Sequence, residues 1–467
     1  MKVDRRCFLG LGLGAVAGAV VSPPGVKLTD DLAIWTQNWP WTPVPKDGKV
    51  TYEQTTCSLC KGNCGIRVRK VGGRPVHISG QEGHPVNDGG ACLHGISGLQ
   101  YLYGLTRINA PLKRNGDKFE EISWKEAVSH VAEKLNTMRE NGEAEKLACI
   151  TGRDRGSIPE LFKRFMKAYG SPHYYSMPDM NTTWRSVAEK MHGRTADMAF
   201  DLENATHILS FGTGMLEGWG SPVYNFRANA QRKDRGVKLV QVEPRLSNTA
   251  AGANRWVPAL PGSEADLALA MCSVIMKEKL YDSSYLLSYD TGFSAFSRLV
   301  TTGYTPEKME GKTGVPASTI KSLAREFAKA DRPLAVAGKG RGDTAGNLRE
   351  FAAVHAMNCL VGNINAKGGV WLNSAPEYLQ FPKMVLDEVA EKGSGKTAEQ
   401  SVSSLIRKIS ESGNSPVKAL LMQGTNLAYS MHDTDRVKNA LEKVPFKVSF
   451  SSYMDETAQL ADIILPS

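Results

Sequence analysis

Four of the eight cysteines in this 467-residue chain fall within 36 residues, and this cluster constrains the fold more than any other feature. Cys57, Cys60 and Cys64 share one short loop, and Cys92 follows after 27 intervening residues. Such spacing suits either tetrahedral zinc or an iron–sulfur cluster. Zinc ligands usually come as two short Cys-x-x-Cys pairs, whereas three ligands from one loop and a fourth from a distant turn favour one [4Fe-4S] cluster. Zinc and a pair of disulfides are the alternatives.

The composition is that of a globular protein. Charged residues make up 22% of the chain and no segment is of low complexity, which excludes disordered, collagen-like and coiled-coil classes. The formal net charge is +9, but the basic residues are scattered rather than gathered in a dense block. This pattern favours an acidic partner or an anionic cofactor over nucleic acid.

The N-terminus contains a targeting pattern. Arg5-Arg6 precedes a 14-residue apolar run, Phe8–Val21, that is too short to cross a bilayer. Residues 1–24 resemble a twin-arginine export signal, with a chance Arg-Arg pair as the alternative. We therefore expect export in the folded state to the periplasm and a peripheral position on the inner membrane. Residues 25–50 form a connector rich in proline and tryptophan, which either packs on its own domain or anchors a partner subunit.

Beyond the cysteine loop, short apolar strands alternate with helical segments. A predicted hairpin over residues 65–78 carries the loop, and buried-strand patterns follow at 147–151, 207–211, 237–242, 334–338, 419–422 and 447–450. This alternation predicts doubly wound α/β lobes that bind ligands at the carboxyl ends of parallel strands. The predicted domains are an iron–sulfur β domain over 51–112, one lobe from 113–145 plus 331–467, and a second lobe over 146–330. Cys149, Cys272 and Cys359 fall in apolar patterns and are predicted core residues.

The cysteine spacing is followed by Leu102-Tyr103-Gly104-Leu105-Thr106-Arg107 and Pro111-Leu112-Lys113-Arg114. Together these resemble the start of the molybdopterin oxidoreductases of the dimethyl sulfoxide reductase family, and the resemblance extends from Thr51 to Ser467. It implies a [4Fe-4S] cluster and a pocket for molybdopterin guanine dinucleotide at strand ends. The pocket residues that it implies are Gly212, Gly214, Glu243, Arg245, Gly262, Glu264, Gln423, Gly424 and Asn426. Ordinary turn chemistry is the alternative for each of them.

The sequence departs from the family pattern at two positions. Family members bind molybdenum or tungsten through Cys, selenocysteine, Ser or Asp shortly after a Gly-Ser-Pro turn, here residues 170–172. The stretch that follows has no thiolate, so Asp179 is the one evident carboxylate substitute, with Asn181 and Thr182 beside it. His94 stands where the family usually has Lys or Arg, on the path of electrons from cluster to pterin. Both departures predict a chain that kept the cluster, lost molybdenum or tungsten, and has a vestigial pterin pocket.

The sequence stops where family members continue into a further domain that covers the cofactor. We therefore expect either a fragment or a protein that lacks this C-terminal covering domain. Loss of that domain would weaken pterin binding.

The resemblance extends to a function in respiration. It implies an electron-transfer subunit of a periplasm-facing complex that passes cytochrome c electrons to menaquinone. The implied partners are a multihaem cytochrome c subunit, a ferredoxin-like iron–sulfur subunit and a quinone-interacting membrane subunit. The alternative functions are a molybdenum bis-pterin catalytic subunit of a polysulfide or thiosulfate reductase, and a structural subunit with zinc at the cysteines.

Overall fold

The computed structural model describes residues 47–286, 292–340, 342, 344–374, 381–398 and 401–467. The predicted export signal and all of the connector before residue 47 lie outside the described residues. The chain divides into two compact units, one ending at Gly104 and including Gly220–Ala230, the other comprising Leu105–Trp219 and Gln231–Ser467. Within the described ranges, no helix combines the length and apolar character needed to cross a membrane.

The first unit is built on a three-stranded antiparallel sheet. Its strands are β1 (Val50–Thr56), β2 (Gly65–Val71) and β3 (Arg74–Gly80), in the order β1-β2-β3. The pairing of β2 with β3 confirms the predicted hairpin. Two short helices follow, α1 (Leu93–Ile96) and α2 (Gly98–Tyr103). The cysteine loop, between β1 and β2, is therefore held at the end of two paired strands.

The second unit contains a seven-stranded sheet in the order β5-β4-β16-β15-β14-β6-β7. The five strands from β16 to β7 are parallel, whereas β4 and β5 form an antiparallel hairpin at one edge. The strand bounds are β4 (Leu112–Asn115), β5 (Lys118–Glu121), β6 (Leu147–Thr151), β7 (Tyr174–Ser176), β14 (Ala419–Gln423), β15 (Phe446–Phe450) and β16 (Ile463–Leu465). Alternate residues face opposite sides, so that Ile150 and Leu420 enter one hydrophobic cluster and Cys149 and Leu421 the other.

The second unit also contains a four-stranded parallel sheet in the order β11-β10-β9-β12. Its strands are β9 (His207–Thr213), β10 (Lys238–Val242), β11 (Arg255–Val257) and β12 (Pro333–Gly340), and a small antiparallel pair is formed by β8 (Asp197–Phe200) and β13 (Val370–Asn373). These parallel sheets confirm the predicted α/β fold class.

Helices connect the strands of both sheets. Their bounds are α3 (Trp124–Glu140), α4 (Ser157–Tyr169), α5 (Met180–His192), α6 (Pro222–Asp234), α7 (Asn248–Ala251), α8 (Glu264–Lys277), α9 (Ser283–Leu286), α10 (Phe293–Gly303), α11 (Pro306–Thr313), α12 (Ala317–Ala328), α13 (Leu348–Leu360), α14 (Glu388–Ser394), α15 (Val402–Glu411), α16 (Leu427–Ser430) and α17 (Thr434–Lys443). Short 3₁₀ turns cover Ala144–Lys146 and Ala458–Leu460.

Sheet membership differs from the predicted lobes in two places. The sequence places β6 and β7 in the lobe over 146–330, but both belong to the seven-stranded sheet. It places β12 with residues 331–467, but β12 pairs with β9 in the four-stranded sheet. The physical reason is that a buried parallel strand is apolar on both faces whichever sheet receives it, so that local pattern does not select its neighbours.

Candidate iron–sulfur centre and strand-edge pocket

The cysteine centre is assembled by the pairing of β1 with β2. Cys57 directly follows β1 and Cys64 directly precedes β2, and the register that pairs Thr56 with Gly65 brings the two cysteines face to face. The Cys57 amide donates to the Cys64 carbonyl at 2.8 Å and closes the loop. Both side chains are buried with Leu99 in the core of this unit, whereas Cys60 and Cys92 are half-buried.

A buried asparagine, Asn87, attaches the turn before Cys92 to the same sheet. Its Oδ1 accepts from the Gly65 amide at 2.8 Å, and its Nδ2 donates to the carbonyls of Gly65 at 2.9 Å and Gly90 at 2.8 Å. A Cβ on Gly80 would lie 2.3 Å from the Gly90 carbonyl oxygen, so the close approach of β3 to this turn requires glycine. Asn87 is a site residue that was missed from the sequence, although an asparagine before Asp-Gly-Gly is a turn signal.

The donor set fits an iron–sulfur cluster. Burial, followed by the nearby thiols of Cys60, Cys92 and Cys57, raises the pKa of the Cys64 thiol to about 11. Four thiolates therefore occupy this space favourably only around a cationic group. The Gly62 amide lies 3.3 Å from Cys60 Sγ and donates to it, an interaction that tunes cluster potential.

His94 is an exposed residue of α1, two positions after Cys92. Its predicted place on the electron path stays a prediction, as do the assignments of the cysteine ligands and of the pterin pocket.

Two predicted glycines lie where β9 ends in the second unit. Gly212 has φ 69°. The Gly214 amide donates to the Gly340 carbonyl at 2.9 Å, and a Cβ on Gly214 would lie only 2.8 Å from that oxygen. These glycines therefore allow β9 and β12 to end side by side, as close backbone approach demands.

Glu243 directly follows β10, and its carboxylate accepts a hydrogen bond from a residue of the same turn. Glu243 is buried, its carboxylate accepts from the Ser247 hydroxyl, and its carbonyl accepts from Trp256 Nε1 at 2.9 Å. Arg245 is exposed and lies 3.7 Å from the Glu217 carboxylate. Both predicted residues flank the edge of the sheet, and the Glu243 carboxylate already has a structural partner.

Lys339 joins two elements of the predicted pocket and is not among the residues predicted for it. Its ammonium forms an ion pair with the buried Glu264 carboxylate at the start of α8 and lies 3.7 Å from the buried Glu350 carboxylate. A Cβ on Gly212 would meet the Lys339 stem at 3.2 Å, so this glycine leaves room for the lysine. Gly262, with φ 80°, turns the chain just before α8. The signal for Lys339 was its position between two glycines at a strand end.

Glu350 gives a testable dependence of stability on pH. Burial, reinforced by Glu264 and opposed by Lys339, raises the pKa of the Glu350 carboxyl to about 7. Because the folded-state pKa exceeds the unfolded value, this group stabilises the fold most below about pH 4.5, and that contribution is lost as pH rises towards 7. The loss is roughly 3 kcal/mol.

Glu350→Gln is expected to flatten the fall in unfolding free energy over this range in urea denaturation. The exposed-site control Glu189→Gln should keep the wild-type slope, and an unchanged slope in Glu350→Gln would contradict the assignment.

The other predicted pocket residues follow β14 at the edge of the seven-stranded sheet. Gly424 (φ 57°) and Asn426 line a cavity of about 460 Å³, together with Gly152 and with Thr344 from the segment after β12. Gln423 lies at the end of β14, where its carbonyl accepts from the Gly152 amide at 2.8 Å.

Asn426 is held in place from both ends of its side chain. Its Nδ2 donates to Glu456 at 2.5 Å, and its Oδ1 accepts from the Thr457 hydroxyl at 2.8 Å. The Thr457 hydroxyl in turn accepts from the Ala428 amide at 2.9 Å. This network fixes the rim of the cavity.

The expected metal-ligand position is the first turn of α5. Asp179 is its buried N-cap, and Oδ1 accepts from the Thr182 amide at 3.0 Å and hydroxyl at 3.2 Å. Asn181 is half-buried and Thr182 exposed. The thioether of Met180 packs against Gly342, where a Cβ would lie 2.2 Å from Sδ. An amide, a hydroxyl, a thioether and a carboxylate engaged in capping do not fit a high-valent metal that requires an anionic ligand.

A four-cysteine unit followed by two mainly parallel sheets with polar residues at their carboxyl edges is the arrangement of an iron–sulfur redox protein. The sequence model of the Molybdopterin oxidoreductase family matches residues 107–467, and that of the Molybdopterin oxidoreductase Fe4S4 domain matches residues 50–104. The chain therefore belongs to the molybdopterin oxidoreductase family, whose members are oxidoreductases. The Fe4S4 match supports a [4Fe-4S] cluster, whereas the presence of the molybdopterin domain counts against the expected loss of the pterin.

Two curated relatives match the whole of this chain. The menaquinone reductase, molybdopterin-binding-like subunit of Nitratidesulfovibrio vulgaris is 34% identical, with 65% of its length covered. The thiosulfate reductase molybdopterin-containing subunit PhsA of Salmonella typhimurium is 28% identical, with 63% covered. The chain thus spans just under two thirds of the length of these relatives. Acetylene hydratase from Pelobacter acetylenicus has the same fold, with a TM-score of 0.72 at 21% identity over 89% of this chain and 63% of that one.

Proposed function

We propose that this protein is an iron–sulfur electron-transfer subunit of a respiratory menaquinone reductase complex that works without molybdenum or tungsten. The observation that carries the proposal is the combination of four gathered thiols with a first turn of α5 that offers no available anionic ligand. A [4Fe-4S] cluster held by Cys57, Cys60, Cys64 and Cys92 supplies one-electron transfer. Such a subunit can pass electrons one at a time from a haem donor towards a quinone acceptor.

The surface near the cysteines supports docking of an electron-transfer partner. Leu59 lies between two of the cysteines and is 40% exposed, and Leu93, next to Cys92, is 83% exposed. Large apolar side chains exposed at a functional centre are typical of protein interfaces. Because Cys60 and Cys92 are themselves only half-buried, a partner seated here would lie close to the cluster.

The assembly follows from the same proposal. The partners are a multihaem cytochrome c subunit, a ferredoxin-like iron–sulfur subunit and a quinone-interacting membrane subunit. The twin arginines support export to the periplasm, and the subunit is peripheral on the inner membrane. The match of the whole of this chain to 65% of a menaquinone reductase subunit supports membership in a complex of this kind.

A second candidate function is a molybdenum bis-pterin catalytic subunit of a thiosulfate or polysulfide reductase. The match of the molybdopterin domain over residues 107–467 and the cavity beside Gly424 favour it. It requires the Asp179 carboxylate to leave the helix cap for the metal. The third possibility weighed from the sequence, a structural zinc subunit, is disfavoured by the Fe4S4 domain match.

Metal analysis of protein purified anaerobically from its own membranes tests this proposal, with two variants at Asp179. We expect about four iron atoms per chain and no molybdenum or tungsten. Asp179→Asn keeps a good N-cap without offering an anionic metal ligand and should be nearly as stable as the wild type, whereas Asp179→Ala should lose about 1 kcal/mol of unfolding free energy. Neither should change the iron content. One molybdenum or tungsten per wild-type chain, lost in Asp179→Asn despite normal stability, would establish the second candidate instead.

A further inference from the structure

Three side chains with metal-binding atoms meet between helices α5 and α13 in the second unit. His192 is the last residue of α5, and His355 and Cys359 are four residues apart on α13 and so share one face. The two imidazole nitrogens and the thiol sulfur all lie within 4.8 Å of one another. His192 Nε2 and His355 Nε2 are 2.7 Å apart. The apolar sequence around Cys359 predicts a core residue, and no sequence pattern points to the two histidines.

The packing of the two helices fixes this arrangement. Trp184, on α5, is buried with its ring centroid 4.3 Å from that of Phe351 and 6.3 Å from that of His355, both on α13. Gly193, with φ 66°, ends α5 directly after His192. A rigid aromatic contact thus sets the separation of the helices, and the histidine at the end of α5 is placed against α13.

The carboxyl ends of two helices meet at these side chains. His192 occupies the last turn of α5, and Cys359 is the penultimate residue of α13, each a helix of 13 residues. The carboxyl end of a helix carries partial negative charge, and two such ends converge at this point. His355 is completely buried, and a histidine binds metals through a neutral imidazole nitrogen.

The three side chains also lie beside a cavity that is large enough to hold water. His192 and Cys359 line a cavity of about 520 Å³ whose walls are mainly apolar, with Leu269 and Phe296 among them. The Tyr304 and Arg349 side chains add polar groups to the lining. Two of the three groups therefore face this cavity, and three-ligand zinc sites complete their coordination with a water molecule.

We propose that His192 Nε2, His355 Nε2 and Cys359 Sγ bind a zinc ion whose fourth coordination position opens to this cavity. Imidazole nitrogens and a cysteine thiolate are both zinc ligands, and binding releases the thiol proton to solvent. Tetrahedral bonds of about 2.0 Å place two nitrogens about 3.3 Å apart, so one ring must shift by a few tenths of an ångström. The competing interpretation is a neutral histidine pair that shares one hydrogen bond beside a core thiol. The inference does not rest on the proposed function.

Equilibrium dialysis of the full-length protein against zinc chloride, after removal of loosely bound metal, tests the proposal. We expect about one zinc per chain, with a zinc-edge X-ray absorption spectrum that fits two nitrogens near 2.0 Å and one sulfur near 2.3 Å. Cys359→Ala and His192→Gln should each weaken zinc binding at least tenfold and abolish the rise in thermal unfolding midpoint that zinc produces in the wild type.

Matched controls separate this site from other effects. Cys149→Ala removes a buried thiol from β6, and His130→Gln removes a half-buried histidine from α3. Both should bind zinc as the wild type does. Wild-type protein that takes up no zinc, zinc surrounded by four sulfurs, or undiminished binding in Cys359→Ala would each overturn the proposal. Iron measured on the same samples reports the cysteine centre separately, so failure of one proposal is distinguishable from failure of the other.

Discussion

Replacing Cys57 by alanine is expected to lower the iron content from about four atoms per chain to nearly none, and to reduce cytochrome-driven reduction of menaquinone to background. Cys57 is buried beside Cys64, and its amide closes the cysteine loop. Removing one thiolate leaves one iron corner of a cluster without a ligand. Because Cys57 and Cys64 lie opposite each other where β1 and β2 pair, the change removes the ligand on the β1 side of the loop.

Iron analysis and electron paramagnetic resonance of the reduced protein measure this effect. Cys149→Ala is the matched control, because Cys149 is fully buried in β6 and is no part of the loop. That variant should keep its iron and its resonance signal. Full iron content in Cys57→Ala would show that another group completes the site and would remove Cys57 from the ligand set.

Replacing Gly152 by alanine is expected to destabilise the second unit by about 3 kcal/mol or more. Gly152 directly follows β6, and its amide donates to the Gln423 carbonyl at 2.8 Å. A Cβ at this position would lie 2.0 Å from the Gly424 carbonyl oxygen. Since that neighbour is backbone rather than a movable side chain, β6 and β14 must separate at the edge that lines the cavity.

Thermal unfolding measures this loss of stability, and a second glycine variant serves as the reference. Gly311→Ala, within α11, meets nothing within 4 Å and should raise stability by about 0.5–1 kcal/mol, since alanine has the higher helix propensity. A Gly152→Ala protein with the wild-type unfolding midpoint would contradict the close contact of the two strand ends.

Much of the iron–sulfur unit could be predicted from the sequence, because its decisive contacts are local. The spacing of Cys57, Cys60 and Cys64 fits a single loop, and the alternation over residues 65–78 predicted the hairpin that the structure contains. The family resemblance likewise depended on short motifs read in chain order, and the matches to residues 50–104 and 107–467 confirm it.

Contacts between distant segments were not predictable in this way. Lys339 and Glu264 are separated by 75 positions, and His192 and His355 by 163. Asp179 has a carboxylate that suits a metal, yet the structure uses it to cap α5. Each of these roles depends on which groups surround the side chain after folding.

The sequence by itself therefore determined the alternating α/β elements, the cysteine loop and the family, because spacing and periodicity are properties of neighbouring residues. Only the tertiary structure decided that β12 joins β9, that Gly152 meets Gly424, and that two histidines meet Cys359. The physical reason is that buried strands and helix faces are apolar whatever their partners. Their partners are chosen by packing of the whole unit, which brings together residues that no local pattern connects.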